Sequence, residues 1–315
     1  VFELYGYSPL DTPVVERMEI LKAKFAAGEG TDVSKEIFIV EDQGGRDLGL
    51  RFDMTVPLAR YVAMHPTVKL PFKRYAIGKV YRDGPIKLGR YREFWQADAD
   101  IVGVPGTLAD SEGVLMASDA FKRLDLEVTI AYSSRELLKE LMDTLEIPEN
   151  LRMKAIIELD KVKKIGRDEV IKEMKAGGIP IKKAEDLLDL TQSTGSSEEK
   201  MACLEKKLKK SHAIAKLREI AEHLKAIPNF TFDPSLARGL TYYTGFFFEC
   251  TLKNSKITSS LVGTGRYDTM IGEFSGGKQD FAAVGISFGV SVICDALREK
   301  GVQMQKTTAK AYVVP

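Results

Sequence analysis

The sequence predicts an α+β protein in which an antiparallel sheet, flanked by helices, is divided by a helical insertion domain. Three observations carry this reading. Between residues 1 and 135 several strand-like runs follow one another with no helix between them, which favours antiparallel pairing over a doubly wound parallel sheet. From about 143 to 228 the chain becomes rich in Lys, Glu, Leu and Ala, and its apolar residues recur at helical spacing. After Phe230 runs of aromatic and β-branched residues return.

Taken in order, IFIVED near 37–42, LGLRFD, FKRYAIGKVYR and YREFWQADADI are predicted strands joined by Gly- and Asp-rich turns. In LRFDMTVPLARY, Asp53 ends a strand; Thr55 is expected to cap the following helix, and Pro57 suits its first turn. Helical patterning covers roughly 107–124, LEVTIAY reads as a strand, and a helix begins near Arg135. Inside the insertion Leu204, Leu208, Ile214, Leu217 and Ile220 keep helical spacing, and DLTQSTGSSEEK is expected to be a loop. Residues 151–230 hold 18 Lys and Arg against 13 Asp and Glu, a surplus that suits a solvated surface or an RNA-facing patch. TYYTGFFFEC, SSLVGTGRYD and FAAVGISF then read as strands, and GVSVICDALREK as a closing amphipathic helix. The expected boundaries are a first sheet portion at 1–142, the insertion at 143–228, a second sheet portion at 229–303, and a linker opening a further strand at 304–315.

Composition narrows the class. A chain of 315 residues with 44% hydrophobic and 29% charged residues can bury a large core as an ordinary soluble protein. A net charge of +1 makes any nucleic-acid contact local rather than global. Cys203, Cys250 and Cys294 form no CxxC pairing, so neither a disulfide framework nor a zinc site is expected, and a reducing compartment fits. The apolar run from Phe281 to Cys294 is broken by glycines and falls short of the roughly 20 residues of a membrane helix. With no signal peptide visible, a cytoplasmic location without membrane association is expected. The chain starts VFELYGY without methionine and stops in AYVVP, so the natural protein is expected to extend past both ends.

The chemistry concentrates on the strand after Gly89. Successive side chains of a strand point to opposite faces, so Arg90, Arg92, Phe94, Gln96, Asp98 and Asp100 share one face. Tyr91, Glu93, Trp95, Ala97, Ala99 and Ile101 share the other. With strands expected on both flanks, the polar ladder is expected to line a ligand site. Arg82, Arg90, Arg238 and Arg266 recur at strand ends or turns, and their rigid forks match phosphates and carboxylates. There is no GxxxxGK[ST] loop and no GxGxxG, and GTGRYD fails both. A bound ATP would therefore be held by arginines and sheet. His65, His212 and His223 sit in no triad or metal spacing, so neither a protein nucleophile nor a protein metal site is expected.

Antiparallel strands, ATP without a P-loop, and VYRDGPIKLGRYREFWQADADIVG together resemble the catalytic domain of class II aminoacyl-tRNA synthetases. More narrowly, RFDMT, GRYREFWQ, LARGLTYYTG and GTGRYD resemble the histidyl-tRNA synthetase family in its archaeal and eukaryotic branch. The match runs from TPVVE, the tail of the family's first motif, to the closing helix, and AYVVP resembles the first strand of its anticodon-binding domain. The resemblance implies L-histidine, ATP and tRNA(His) as partners, Mg²⁺ carried on the phosphates, and a homodimer. It implies Arg82 and Arg238 as catalytic groups at the α-phosphate and both among the histidine-binding residues, with Arg82 on the substrate carboxylate. For histidine it implies Asp53, Met54 and Thr55 at the amino group, Gln96 and Asp100 near the amino group and imidazole, and Tyr242, Tyr243 and Tyr267 around the ring. For ATP it implies Arg90 and Arg266 beside Arg82 and Arg238. It also implies that the insertion lies against the tRNA acceptor arm.

Two positions depart from the family pattern. Gly84 stands where an acid usually follows the second-motif arginine, and Val292 stands where the third motif usually supplies an ATP-binding arginine. Two other readings stay open here. One is the non-catalytic regulatory subunit of the ATP phosphoribosyltransferase, which shares the fold and binds histidine; Val292 favours it, and Arg82 with an intact LARGLTYYTG opposes it. The other is a synthetase-like interaction domain within a larger protein.

Overall fold

The computed structural model describes residues 1–23, 32–238, 242–277 and 279–302. The tail expected at 304–315 lies outside the described residues, as do Gly239, Leu240 and Thr241 of LARGLTYYTG. The strands are β1 (Ser8–Pro9), β2 (Val15–Arg17), β3 (Ile39–Glu41), β4 (Asp47–Leu50), β5 (Phe72–Tyr81), β6 (Glu93–Val102), β7 (Val128–Ser134), β8 (Phe230–Phe232), β9 (Phe246–Leu252), β10 (Val262–Arg266) and β11 (Ala283–Gly289). Eight of them form one sheet in the order β1-β5-β6-β11-β10-β9-β7-β8, and β2-β4-β3 form a small second sheet. Only β1–β5 and β7–β8 pair in parallel, so the sheet is antiparallel through its centre, as the consecutive strand signals predicted.

One face of the large sheet is apolar and covered. Ala97, Ala99 and Ile101 of β6, Val284, Ile286 and Phe288 of β11, and Phe246 and Phe248 of β9 belong to the main core. Val114, Ala117 and Phe121 from the helix Leu108–Arg123 belong to the same cluster, as do Leu137, Leu138 and Leu141 from the helix Arg135–Thr144. Each fully buried large apolar side chain of this kind is worth roughly 1.5–3 kcal/mol. The opposite face carries the even-numbered residues of β6.

Between residues 149 and 223 the chain forms the helices Glu149–Asp160, Val162–Ile165, Arg167–Ala176, Ile181–Thr191, Ser197–Leu208 and His212–His223. The loop expected over DLTQSTGSSEEK is shorter than predicted. Ser196 accepts a hydrogen bond from the Glu199 N–H while Glu199 accepts one from the Ser196 N–H, and this capping box starts the next helix at Ser197.

Three local expectations need correction. Strand β4 ends at Leu50, so Asp53 sits in the link between β4 and the helix Thr55–Met64 rather than at a strand end. Thr55 is the first residue of that helix, and the side chain that meets its free N–H groups is Asp53, which accepts from the Val56 N–H at 3.0 Å. An aspartate is at least as good an acceptor there as threonine. Residues 242–245 (YYTG) are not part of a strand, since β9 begins at Phe246. Tyr243 instead folds back across the sheet, where Gly265 of β10 leaves room beneath its ring, and Tyr242 packs edge to face against it.

Candidate active site

The site is built from rungs of the sheet, because residues paired across neighbouring strands share a face. On the β5–β6 side Gly78 faces Gln96, Ala76 faces Asp98 and Arg74 faces Asp100. On the β6–β11 side the same three residues face Gly289, Ser287 and Gly285. Ser287 and Gly285 face Gly263 and Gly265 of β10, and these face Glu249 and Phe247 of β9. The floor thus carries Gln96, Asp98 and Asp100 in a row, bordered by small residues except where Arg74 flanks Asp100, and all three are at least 91% buried. The polar ladder is thus a buried face of the sheet rather than a solvated one. Its first two members do not belong to it: β6 begins at Glu93, and Arg90 and Arg92 lie in the connection before it.

The glycines of β10 explain how an arginine and a tyrosine lie flat here. A Cβ on Gly263 would stand 2.3 Å from the Arg238 guanidinium, and one on Gly265 would stand 2.2 Å from the Tyr243 ring. Arg238 is ion-paired with Glu249 at 3.3 Å and sits 5.5 Å from the Tyr243 ring centroid. Its carbonyl accepts from Arg135 at 2.9 Å, which fixes the backbone beneath it. Tyr242 and Tyr243 meet edge to face with centroids 4.9 Å apart, and the Tyr242 hydroxyl donates to Asp53 at 3.2 Å. Arg82 leaves the end of β5, donates to the Phe52 carbonyl at 3.1 Å, and lies 5.4 Å from the ring of Phe94 on the ladder face. Arg82, Arg238, Asp53, Gln96, Asp100, Tyr242, Tyr243 and Tyr267 are therefore brought together. Met54 contributes its carbonyl, which accepts from Arg74 at 2.6 Å, and Thr55 opens the adjoining helix.

Sequence reasoning missed Arg74. It is 1% exposed and ion-paired at 3.0 Å with Asp100, which also accepts from the Tyr267 hydroxyl at 2.7 Å. The partnership depends on strand register, which no local pattern reveals. Burial pushes the Asp100 carboxyl upward while Arg74 and Tyr267 pull it back. Burial likewise raises Asp53 against the Val56 N–H, Arg82 and Tyr242. Asp98 is pushed up to about 7, chiefly by burial, and accepts a hydrogen bond from the Ser287 hydroxyl at 2.5 Å.

Two expected ATP contacts stand differently from the rest. Arg266 shares a strand face with Thr264, not with Gly263 and Gly265, so it points to the other side of the sheet. There it donates to Asp110 at 2.8 Å, to the Gly106 carbonyl at 2.6 Å and to Asp268 at 3.1 Å. Arg90 is ion-paired with Glu36 at 2.5 Å. A Cβ on Gly84 would stand 2.5 Å from that same Glu36 carboxylate, so Glu36 fills the space a side chain at position 84 would take. Val292 is 6% exposed in the main core, packed so that a Cβ on Gly89 or Gly289 would stand 2.8 or 2.7 Å from its methyl groups. Among the described residues no group of three or more His, Cys, Asp and Glu side chains is placed to hold a metal ion.

Comparison with known proteins points to one family. Residues 1–293 match the family model described as histidyl-tRNA synthetase. Histidine–tRNA ligase 1 of Bacillus thuringiensis subsp. konkukian is 43% identical over 322 residues, covering 100% of this chain and 74% of its own. The histidine–tRNA ligase of the Aeropyrum pernix strain is 39% identical over 324 residues, covering 100% of this chain and 72% of its own. The crystal structure of histidyl-tRNA synthetase from Nostoc sp. PCC 7120 superposes with a TM-score of 0.79 at 30% identity, over 96% of this chain and 70% of that one. A Bacillus halodurans structure described as an ATP phosphoribosyltransferase regulatory subunit/histidyl-tRNA synthetase shares the fold, with a TM-score of 0.76 at 24% identity over 94% of this chain and 76% of that one.

Proposed function

The chain belongs to the histidyl-tRNA synthetase family, and from that premise we propose how its residues carry the family's reaction. The activity is ATP-dependent activation of L-histidine to histidyl-adenylate, followed by transfer of the histidyl group to tRNA(His). In the first step a carboxylate oxygen of histidine attacks the α-phosphorus of ATP. The bond to the bridging oxygen breaks and pyrophosphate leaves with that electron pair. No protein nucleophile is needed, so catalysis rests on positioning and on neutralising charge.

Arg82 and Arg238 are assigned to the two sides of the reacting phosphate, Arg82 also holding the substrate carboxylate. Gln96 and Asp53 with Thr55 face the amino group, and Asp100, Tyr242, Tyr243 and Tyr267 surround the imidazole. Mg²⁺ enters as part of the Mg·ATP substrate, with Arg90 along the nucleotide once released from Glu36. What supports this assignment most directly is that Arg238 lies over Gly263 on the same rung as Asp98. The anion-binding and amino-acid-binding groups thereby share one floor. Arg266, turned to the far side of the sheet, contacts ATP only if strand β10 rearranges, and we assign it to holding β10 against the helix Leu108–Arg123.

A homodimer joined through the first motif fits the exposed Val14, Val15 and Ile39 at the small sheet, whose strand β2 begins within that motif's tail. The insertion is assigned to the acceptor arm of the tRNA. Among the described residues no helix is long and apolar enough to cross a membrane, and a cytoplasmic location is part of the proposal. The test is histidine-dependent exchange between ATP and pyrophosphate. Exchange at background level by a protein that still binds histidine would favour the regulatory-subunit reading.

A further inference from the structure

The two side chains that lie on β10 have different neighbours across the strand pair. Gly265, beneath the Tyr243 ring, faces Phe247 of β9, and the Tyr243 and Phe247 rings stack with centroids 6.2 Å apart. Gly263, beneath the Arg238 guanidinium, faces Glu249, whose carboxylate stands 3.3 Å from Nη1 of Arg238. The aromatic side chain thus meets an aromatic neighbour and the cation an anionic one. The rung through Glu249 runs Ala131, Glu249, Gly263, Ser287 and Asp98 across β7, β9, β10, β11 and β6. Glu249 therefore has small residues on both sides, and among the described residues Arg238 is the one cation ion-paired with it. Asp160 of the insertion also bears on the charge of Arg238, but it is paired with Lys164 at 3.7 Å.

Nη1 of Arg238 makes no aligned hydrogen bond, so its contact with Glu249 is one of charge. The two side chains are 18% and 25% exposed, and water screens them less than it screens a surface pair. Charge fixes where the guanidinium lies. The backbone beneath is fixed separately, by Arg135 donating to the Arg238 carbonyl at 2.9 Å. The direction of the N–H bonds is left to the group that arrives. An arginine without such a partner samples several rotamers and must be ordered at the moment of reaction, which slows the step.

We propose that Glu249 is the positioning residue for Arg238, holding its guanidinium over Gly263 before ATP arrives, so that the arginine turns but does not travel to meet the α-phosphate. The inference rests on the histidine-activating reading of the site. Glu249 touches no substrate and acts through Arg238 alone, which separates it from a residue that merely supports the sheet. It also places negative charge near a polyanionic substrate. Removing that charge is therefore expected to slow the chemistry without weakening ATP, a combination that general loosening of the fold does not produce.

The test is single-turnover formation of histidyl-adenylate at high enzyme concentration, where slow variants stay measurable. Glu249→Gln is expected to lower the rate constant on the order of 10- to 100-fold, as for a misplaced catalytic group. Half-saturating histidine should stay unchanged and ATP should bind as tightly or more tightly. In the Arg238→Ala chain the same substitution is expected to change the rate by no more than about twofold, because no guanidinium is left to place. Glu249→Asp keeps the charge and is expected to recover part of the loss. An unchanged rate in Glu249→Gln, or an equal fold-loss with and without Arg238, would overturn the proposal, the second result marking a role independent of the arginine. Should Glu249→Gln not fold, Glu249→Asp, which draws the carboxylate back by a methylene, is compared in the same two chains, and an equal loss in both would again overturn it. Wild-type protein that forms no adenylate would sink the functional reading itself, an outcome distinct from wild-type turnover that Glu249→Gln leaves intact.

Discussion

Asp98 offers a test that needs no ligand at all. Its carboxyl is pushed from the ordinary 3.8 up to about 7, mainly by burial. The folded chain therefore holds this proton more tightly than the unfolded chain does, by about three decades. At about 1.4 kcal/mol per decade, the ionised group costs the folded state about 4 kcal/mol at pH 8. The sign follows from linkage. A raised carboxyl favours folding fully below the unfolded value near 4, and that advantage disappears as pH rises through about 7. Asp98→Asn keeps the shape and an acceptor for Ser287 but never ionises. The variant is therefore expected to be more stable than wild type by up to about 4 kcal/mol at pH 8, by about half of that near pH 5.5, and by almost nothing at pH 4. Urea unfolding of both proteins at these three pH values, without histidine, measures the gap. A gap that does not change with pH, or an asparagine variant less stable at pH 8, would refute the reasoning.

Other expectations follow from the same floor. Arg238→Ala should lower histidine-dependent ATP–pyrophosphate exchange by a factor on the order of 10² to 10³, as for loss of one transition-state donor, with the unfolding midpoint nearly unmoved. Gln96→Ala should raise the KM for histidine much more than that for ATP, and equal changes would mean that the ladder does not hold the amino acid. Asp100→Ala should cost about 3–5 kcal/mol of stability, because Arg74 is left buried without its partner; Arg74→Met in the same chain should recover part of the loss. Val292→Arg should destabilise the protein by several kcal/mol, about the scale of an unpaired buried charge, rather than tighten ATP. A lower KM for ATP at an unchanged unfolding midpoint would show instead that the new arginine reaches the nucleotide.

Much of this site was legible because a strand repeats every two residues. Alternation along YREFWQADADI put Gln96, Asp98 and Asp100 on one face before any pairing was known, and burial of that face agrees. The same parity, applied to VGTGR, separates Arg266 from Gly263 and Gly265; the signal was present, and the arginine's residue type outweighed it. What parity cannot supply is register. Arg74 opposite Asp100, and Glu36 in the space beside Gly84, bring together residues 26 and 48 positions apart in the numbering. Strand composition also misled at TYYTG, where aromatic residues that favour a sheet are used as a cover over one. Asp53 took the capping role expected of Thr55 because either residue can accept from a helix N–H, and only the backbone path decides which one does.

The two glycines of β10 have a bearing on how such a site tolerates change. Neither Gly263 nor Gly265 has a side chain to offer a substrate, and neither has the positive φ that would make glycine a backbone necessity. They are voids shaped to an arginine and a tyrosine. In a saturation library selected for activity, even alanine at these two positions would be depleted about as severely as loss of Arg238 or Tyr243, since one methyl group lifts the overlying side chain off the floor. A scan that ranks positions by intolerance would therefore mark two residues with no chemistry of their own as if they were catalytic. Pairing each glycine variant with a smaller residue above it, such as Gly265→Ala with Tyr243→Leu, would restore the fold without restoring turnover.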